Sequence, residues 1–98
     1  MSRQLLTLIF EPAAGTEPQV DEILRAARRR AEQAGWHCWA YRNEVNSDEL
    51  ILFIEGPESE PGAPVAPVFG DEISQIRALS RRFETVRSLK AYPLDDRP

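Results

Sequence analysis

Five apolar residues in a row occupy positions 50–54 of the chain, two of them β-branched and one aromatic. A run of this length and composition is typical of a β-strand that is covered on both faces. Residues 5–10 show the same pattern, whereas residues 36–43 and 85–92 mix apolar with polar positions and suit half-exposed strands. Two doubly covered and two half-exposed strands predict a four-stranded sheet with two central and two edge strands.

Two amphipathic helices are predicted between these strands. The first follows Thr16, which stands three residues before Gln19 in the pattern of a capping box, and it ends at Gly35. The second follows Asp71 and has about twelve residues, with an apolar arc that reaches Phe83. The order strand, helix, strand, strand, helix, strand predicts an α+β fold. This is the ferredoxin-like βαββαβ sandwich, a four-stranded antiparallel sheet with both helices on one face.

The second face of this sheet needs a cover of its own, because both central strands are apolar on both faces. A partner subunit, a ligand or part of a loop could supply it. Residues 56–70 hold four of the eight prolines and three of the five glycines, which predicts a Pro/Gly-rich loop within a single domain of residues 1–98. We expect residues 57–62 of this loop to be mobile and the apolar residues 65–69 to pack against the domain.

Composition limits the possible partners. With 16 Asp and Glu residues against 12 Lys and Arg, the chain has a net charge of −4, which argues against binding to nucleic-acid phosphates. Cys38 is the single cysteine and excludes an internal disulfide or a cysteine-only metal cluster within one chain. No apolar run approaches a membrane span, and the first residues show no signal-peptide pattern. We therefore predict a cytoplasmic protein without metal, cofactor, nucleic acid or membrane partner.

His37, Trp39 and Tyr41 alternate along the second predicted strand and therefore share one of its faces. Histidine titrates near neutral pH, which makes His37 the candidate catalytic residue, as a general base or a hydrogen-bond donor. Trp39 and Tyr41 could hold a planar apolar ligand, and Phe69 of the loop is a further candidate ligand-binding residue. The alternative is that these aromatic residues form only the core of a dimer interface, since aromatic residues favour both strands and interfaces.

A strand ending in Phe-Glu-Pro at residues 10–12, a capped helix that closes at Gly35, an aromatic strand and the strand of residues 50–55 follow one another in this sequence. In this order the chain resembles the dimeric α/β-barrel superfamily, which includes the antibiotic-biosynthesis-type monooxygenases. The resemblance implies a homodimer with two sheets packed face to face and a small pocket for hydrophobic, often aromatic, substrates. Those enzymes often carry an acidic-x-Trp stretch after the third strand, where this chain has Gly56 and Pro57. The haem-degrading relatives carry a helical histidine that this chain lacks. No catalytic role is therefore transferred.

Two functions remain open from the sequence. The first is a homodimer that binds a hydrophobic small molecule, as a cofactor-independent oxygenase or isomerase that acts on an aromatic compound. The second is a non-enzymatic interaction or sensory module, which uses the open sheet face for self-association or for a protein partner. Whether the chain is an enzyme depends on whether His37 lines a ligand pocket.

Overall fold

The computed structural model describes residues 3–57 and 69–90, which form four strands and two helices. In chain order these are β1 (Arg3–Pro12), α1 (Glu17–Gln33), β2 (His37–Arg42), β3 (Leu50–Pro57), α2 (Gly70–Leu79) and β4 (Ser80–Lys90). All pairings are antiparallel and the strand order is β2-β3-β1-β4. The predicted ferredoxin-like sandwich is therefore confirmed, with β1 and β3 in the centre of the sheet.

The hydrophobic core lies between the helices and one face of the sheet. Alternate residues of the central strands are buried there, because successive side chains of a strand point to opposite faces. The fully buried members from strands and helices include Leu6, Leu8, Phe10, Ile54, Val20, Ala27, Ala31 and Ile76. The other parity of β1 and β3 is only half-buried in the single chain. The sequence predicts that both faces of the central strands are covered. Within the described residues, only the face toward the helices is covered.

Helix α1 begins and ends where the sequence predicts, although its N-terminus is capped differently. Thr16 occupies the N-cap position without a side-chain cap; its hydroxyl lies 2.7 Å from the carbonyl oxygen of Ala13 and 3.0 Å from that of Leu79. The predicted capping box is therefore wrong, because the hydroxyl donates to the neighbouring segments instead. At the other end Gly35 has a φ of +80° and the amide of Trp36 donates to Ala31 at 2.7 Å, as in a glycine-terminated helix.

Residues 43–49 connect β2 and β3 as a hairpin loop. The side-chain oxygen of Asn43 accepts hydrogen bonds from the backbone amides of Val45 at 2.8 Å and Asn46 at 3.1 Å. An asparagine that bonds to amides two and three residues ahead stabilises a turn locally. The turn thereby fixes the register in which Arg42 pairs with Leu50.

Trp36 and Gly56 pack against each other on the helix side, at the end of the β2–β3 pair. A Cβ atom built on Gly56 would lie 2.7 Å from Cγ of Trp36 and closer still to Cδ2 and Cε3 of the same ring. The glycine is thus the residue that lets the indole lie against the strand. This is the position at which the sequence departs from the monooxygenase pattern, and the departure has a packing reason.

Strand β4 begins about five residues earlier than the sequence predicts. Helix α2 ends at Leu79, where Ser80 turns into extended backbone and its hydroxyl donates to Ile76 at 2.6 Å. From there the chain pairs with β1, so that Phe83 lies opposite Phe10 rather than on the helix. The helical periodicity through Phe83 is misleading, because the pairing of β4 with the end of β1 outweighs local preference.

Most of the predicted loop, residues 58–68, and the tail at residues 91–98 lie outside the described residues, as does the expected contrast between the two halves of the loop. Its first two positions belong to β3, and Gly70 begins α2. Among the described residues, no helix is long and apolar enough to cross a membrane.

Candidate functional site

The sheet surface that faces away from the helices, called the open face below, carries three of the four predicted site residues. Directly paired residues of antiparallel strands point to the same side of a sheet, so the register defines the rows of this surface. From β2 through β3 to β1 the rows are His37–Glu55–Leu5, Trp39–Phe53–Thr7 and Tyr41–Ile51–Ile9. The predicted stripe therefore continues inward onto the central strands.

Three aromatic rings form a cluster in the middle of the open face. The ring of Phe53 lies 5.7 Å from that of Trp39 at an interplanar angle of 22°, and 5.7 Å from that of Tyr41 at 75°. Stacked and edge-to-face contacts at these distances stabilise aromatic pairs by about 0.5–1.5 kcal/mol each. Trp39 is 37% exposed and Tyr41 is 57% exposed, so the cluster presents aromatic surface outward. This aromatic cluster of Trp39, Tyr41 and Phe53 can contact a planar apolar compound or another apolar surface.

One end of the stripe carries charged groups next to His37. The guanidinium of Arg3 donates a hydrogen bond of 2.9 Å to Oε1 of Glu55, the residue directly opposite His37. This hydrogen bond lowers the pKa of Glu55 against the opposing effect of burial, and the charge of Arg3 also lowers it. Glu55 is therefore an ionised partner of Arg3, and the exposed His37 is the candidate proton acceptor at this end.

The other end of β1 carries a buried carboxylate that sequence reasoning missed. Glu11 is 5% exposed, and Arg81 donates to its Oε1 from Nε at 3.1 Å and from one terminal nitrogen at 2.6 Å. Arg82 and Asn46 approach Oε2 at 3.3 Å and 3.4 Å. The hydrogen bonds from Arg81 lower the pKa of Glu11, although burial acts in the opposite direction. We call these four residues the Glu11 cluster.

The Glu11 cluster is a structural anchor, because both carboxylate oxygens are already bound. A sequence signal for it exists: a single carboxylate directly follows an apolar strand, and two consecutive arginines stand 70 residues later. The signal is hidden because a helix that follows Asp71 and reaches Phe83, as the sequence predicts, would include Arg81 and Arg82. Their pairing with Glu11 depends on β4 starting at Ser80.

Phe69 and Cys38 lie on the helix side of the sheet, away from the aromatic cluster. Phe69 is completely buried in the hydrophobic core, so the structure does not bring it together with Trp39 and Tyr41. Cys38 is buried, and burial raises the pKa of its thiol to about 11. A thiol of this kind is neutral near pH 7 and is a poor nucleophile.

Two grooves lie on the helix side. One, of about 370 Å³, runs between α1 and β2 and includes Arg25, Arg28 and Ala40. The other, of about 460 Å³, runs between the helices and includes Ile23 and Leu79. Within residues 3–57 and 69–90, no three His, Cys, Asp or Glu side chains are grouped so that they could hold a metal ion.

No protein-family model and no curated protein matches the sequence. Solved structures do match. Rv0793 from Mycobacterium tuberculosis is 18% identical, with 98% of each chain covered and a TM-score of 0.66. A proposed antibiotic biosynthesis monooxygenase from Nitrosomonas europaea is 6% identical, with 96% of this chain and 92% of that chain covered and a TM-score of 0.69.

A variant of SnoaB, a cofactor-independent oxygenase from Streptomyces nogalater, is 12% identical, with 98% of this chain and 97% of that chain covered and a TM-score of 0.62. Identities this low show a common fold and do not by themselves transfer an activity. The resemblance that the sequence suggests is thus confirmed at the level of structure. The chain has the ferredoxin-like fold of the antibiotic-biosynthesis-type monooxygenases.

Proposed function

We propose that the chain forms a homodimer through its open face and binds a hydrophobic, aromatic compound at the aromatic cluster. In this proposal it acts as a cofactor-independent oxygenase or isomerase. The observation that carries the proposal is the cluster of Trp39, Tyr41 and Phe53 on a sheet surface that residues 3–57 and 69–90 leave uncovered, with His37 at one end. The fold shared with a cofactor-independent oxygenase supports it as an analogy.

The size and charge of the open face favour a second copy of the chain as its cover. Four strands about 4.8 Å apart, paired over about eight residues of about 3.4 Å each, span roughly 500 Å². A sheet face of that size, on which Leu5, Ile9, Ile51 and the aromatic cluster are the apolar residues, approaches the area that each partner of a stable dimer buries. Among the described side chains, Arg3 is paired with Glu55 at 2.9 Å and Glu11 with its arginines, so these charges do not repel a second copy.

The two ends of the stripe of His37, Trp39 and Tyr41 differ, because only one of them carries an imidazole and charged groups. The chemistry of the site follows from this difference. A planar compound stacked on the aromatic cluster places its polar edge near His37, where the imidazole can accept a proton from a phenol or from an acidic C–H bond. Proton abstraction of this kind is the first step of both cofactor-independent oxygenation and isomerisation. The neighbouring Glu55, held ionised by Arg3, stabilises the imidazolium that forms.

Two related compounds test the role of His37. 1-Naphthol has an acidic proton and 1-methoxynaphthalene has the same rings without it. By isothermal titration calorimetry we expect His37→Ala to weaken 1-naphthol binding about three- to tenfold, as for a lost hydrogen bond, and to leave 1-methoxynaphthalene unchanged. Sedimentation equilibrium of the same variant should still show a dimer. A wild-type dimer that binds neither compound would contradict the proposed function.

The second candidate function is an interaction module that uses the same surface without a ligand. It is favoured by the position of the two described grooves, which both lie on the helix side. In that case His37→Ala should loosen the dimer or its complex with another protein, because an interface side chain is lost. The wild-type protein should then give no calorimetric signal with either naphthalene compound.

A further inference from the structure

The groove between α1 and β2 is a concave surface on the helix side of the sheet, and Trp39 on the edge strand β2 also contributes to its lining. Its volume of about 370 Å³ falls within the range of small-molecule sites. Leu52, at 2% exposed, and the half-buried Leu24 give it an apolar floor. Ala40 also lines it and is exposed, although its parity places it on the helix side. The groove therefore has room for a compact apolar body.

The rim of this groove is positively charged in a protein whose net charge is −4. Arg25 and Arg28 line it, and Asp21 is the single acidic residue of the lining. Arg25 forms no ion pair with any other residue of the described part of the chain, and the pair between Arg28 and Glu32, at 3.6 Å, is largely exposed to solvent. Two guanidinium groups that have no buried ion pair of their own can bind the oxygens of a carboxylate or sulfonate.

Cys38 lies in the groove without adding charge to it. Burial raises the pKa of its thiol to about 11, and the nearby charge of Arg28 only partly opposes this. The thiol is therefore neutral near pH 7 and leaves the positive rim uncompensated. An apolar floor next to a cationic rim matches a molecule that has an apolar body and one acidic group.

We propose that the groove between α1 and β2 binds an amphipathic organic anion, a carboxylate or sulfonate attached to an aromatic or short aliphatic body. The body packs against Leu24, Ala40 and Leu52, and the acid group lies between Arg25 and Arg28. This site goes beyond the function proposed above, because one chain forms it alone on the other side of the sheet.

The charge requirement is tested with two fluorescent probes that differ by one group. 1-Anilinonaphthalene-8-sulfonate carries a sulfonate, and N-phenyl-1-naphthylamine has the same rings without it. We expect the wild-type protein to bind the sulfonate about tenfold more tightly, and the double variant Arg25→Gln/Arg28→Gln to lose that difference. The matched control is Arg29→Gln, which removes an arginine of the same helix outside the groove and should change neither affinity.

The location is tested with two neighbouring residues of β2 that point to opposite sides of the sheet. Ala40→Leu fills the groove and should abolish sulfonate binding, whereas Tyr41→Ala alters the open face and should leave it intact. Because a variant can fail to fold, nuclear Overhauser contacts in the wild-type complex give an independent answer. Probe protons should contact the methyl groups of Leu24 and Leu52, and not those of Ile51.

Three results would overturn the proposal. The first is equal affinity for the two probes, which would leave the arginines without a role. The second is binding of neither probe. The third is contact of the probe with Ile51 and loss of binding in Tyr41→Ala, which would place the probe on the open face instead.

Discussion

Because Gly56 contacts Trp36, we expect the effect of Gly56→Ala on the free energy of unfolding to reverse its sign when Trp36 is replaced by alanine. An added methyl group at Gly56 would lie 2.7 Å from Cγ of the indole, where unstrained carbon atoms stay about 3.5–4.0 Å apart. Overpacking of this kind costs about 1–3 kcal/mol, while replacing a strand glycine by alanine contributes about 0.5–1 kcal/mol in the opposite direction. The clash is larger, so Gly56→Ala should lower the free energy of unfolding by about 0.5–2 kcal/mol.

For a domain of this size that loss corresponds to a melting temperature roughly 2–16 °C lower, measurable by circular dichroism. In a Trp36→Ala background the clash is gone, and the same glycine substitution should become stabilising by up to about 1 kcal/mol. Gly70→Ala is the control, because nothing lies within 4 Å of its added Cβ. If Gly56→Ala lowers the melting temperature equally with and without Trp36, the packing explanation is wrong.

Three further predictions concern the ends and faces of the sheet. Because the pKa of Glu11 is lowered in the folded chain, its ionised form stabilises the protein above about pH 4.3, and this stability is lost as the pH falls through the lowered pKa. Glu11→Gln should therefore melt at a lower temperature at pH 7 and show a weaker decline between pH 5 and pH 3, and equal pH profiles would contradict this. Ile51→Lys places a charge in the centre of the open face and should yield monomers in sedimentation equilibrium with an unchanged circular dichroism spectrum. Val45→Lys, at a turn position that is 97% exposed, should leave the dimer intact. Cys38 should react with a disulfide reagent at pH 8 roughly a hundredfold more slowly in the native than in the unfolded protein, since its folded pKa is about 11, and equal rates would show that the thiol is not buried.

The central part of the fold could be predicted because it depends on local sequence patterns. The uninterrupted apolar run at residues 50–54 identifies a central strand, and the alternation from His37 to Tyr41 assigns three side chains to one face. Both predictions rest on the two-residue period of a strand, which does not depend on the rest of the molecule. The end of α1 at Gly35 was predictable for a similar reason, since few residues other than glycine favour a positive φ.

The features that could not be predicted depend on contacts between distant segments. The segment around Phe83 has a helical period, and only its pairing with Phe10 makes it a strand. The Glu11 cluster needs the end of β1, the β2–β3 turn and the start of β4 to meet at one point. Phe69 belongs to the core rather than to the open face. The sequence of its loop has no periodicity that could indicate on which of these two surfaces it packs.

The pairing of β1 with β4 also affects the order of events during protein synthesis. Glu11 binds Arg82, 71 residues further along the chain, and residues 4–12 of β1 pair with β4 over similar or larger separations. At about 5–20 residues per second, β1 leaves the ribosome roughly 4–14 s before the strand that completes its edge. During that interval an apolar strand has an unpaired edge and can bind other nascent chains. The edge of the first central strand therefore stays open to unwanted pairing until the last strand of the sheet has been synthesised.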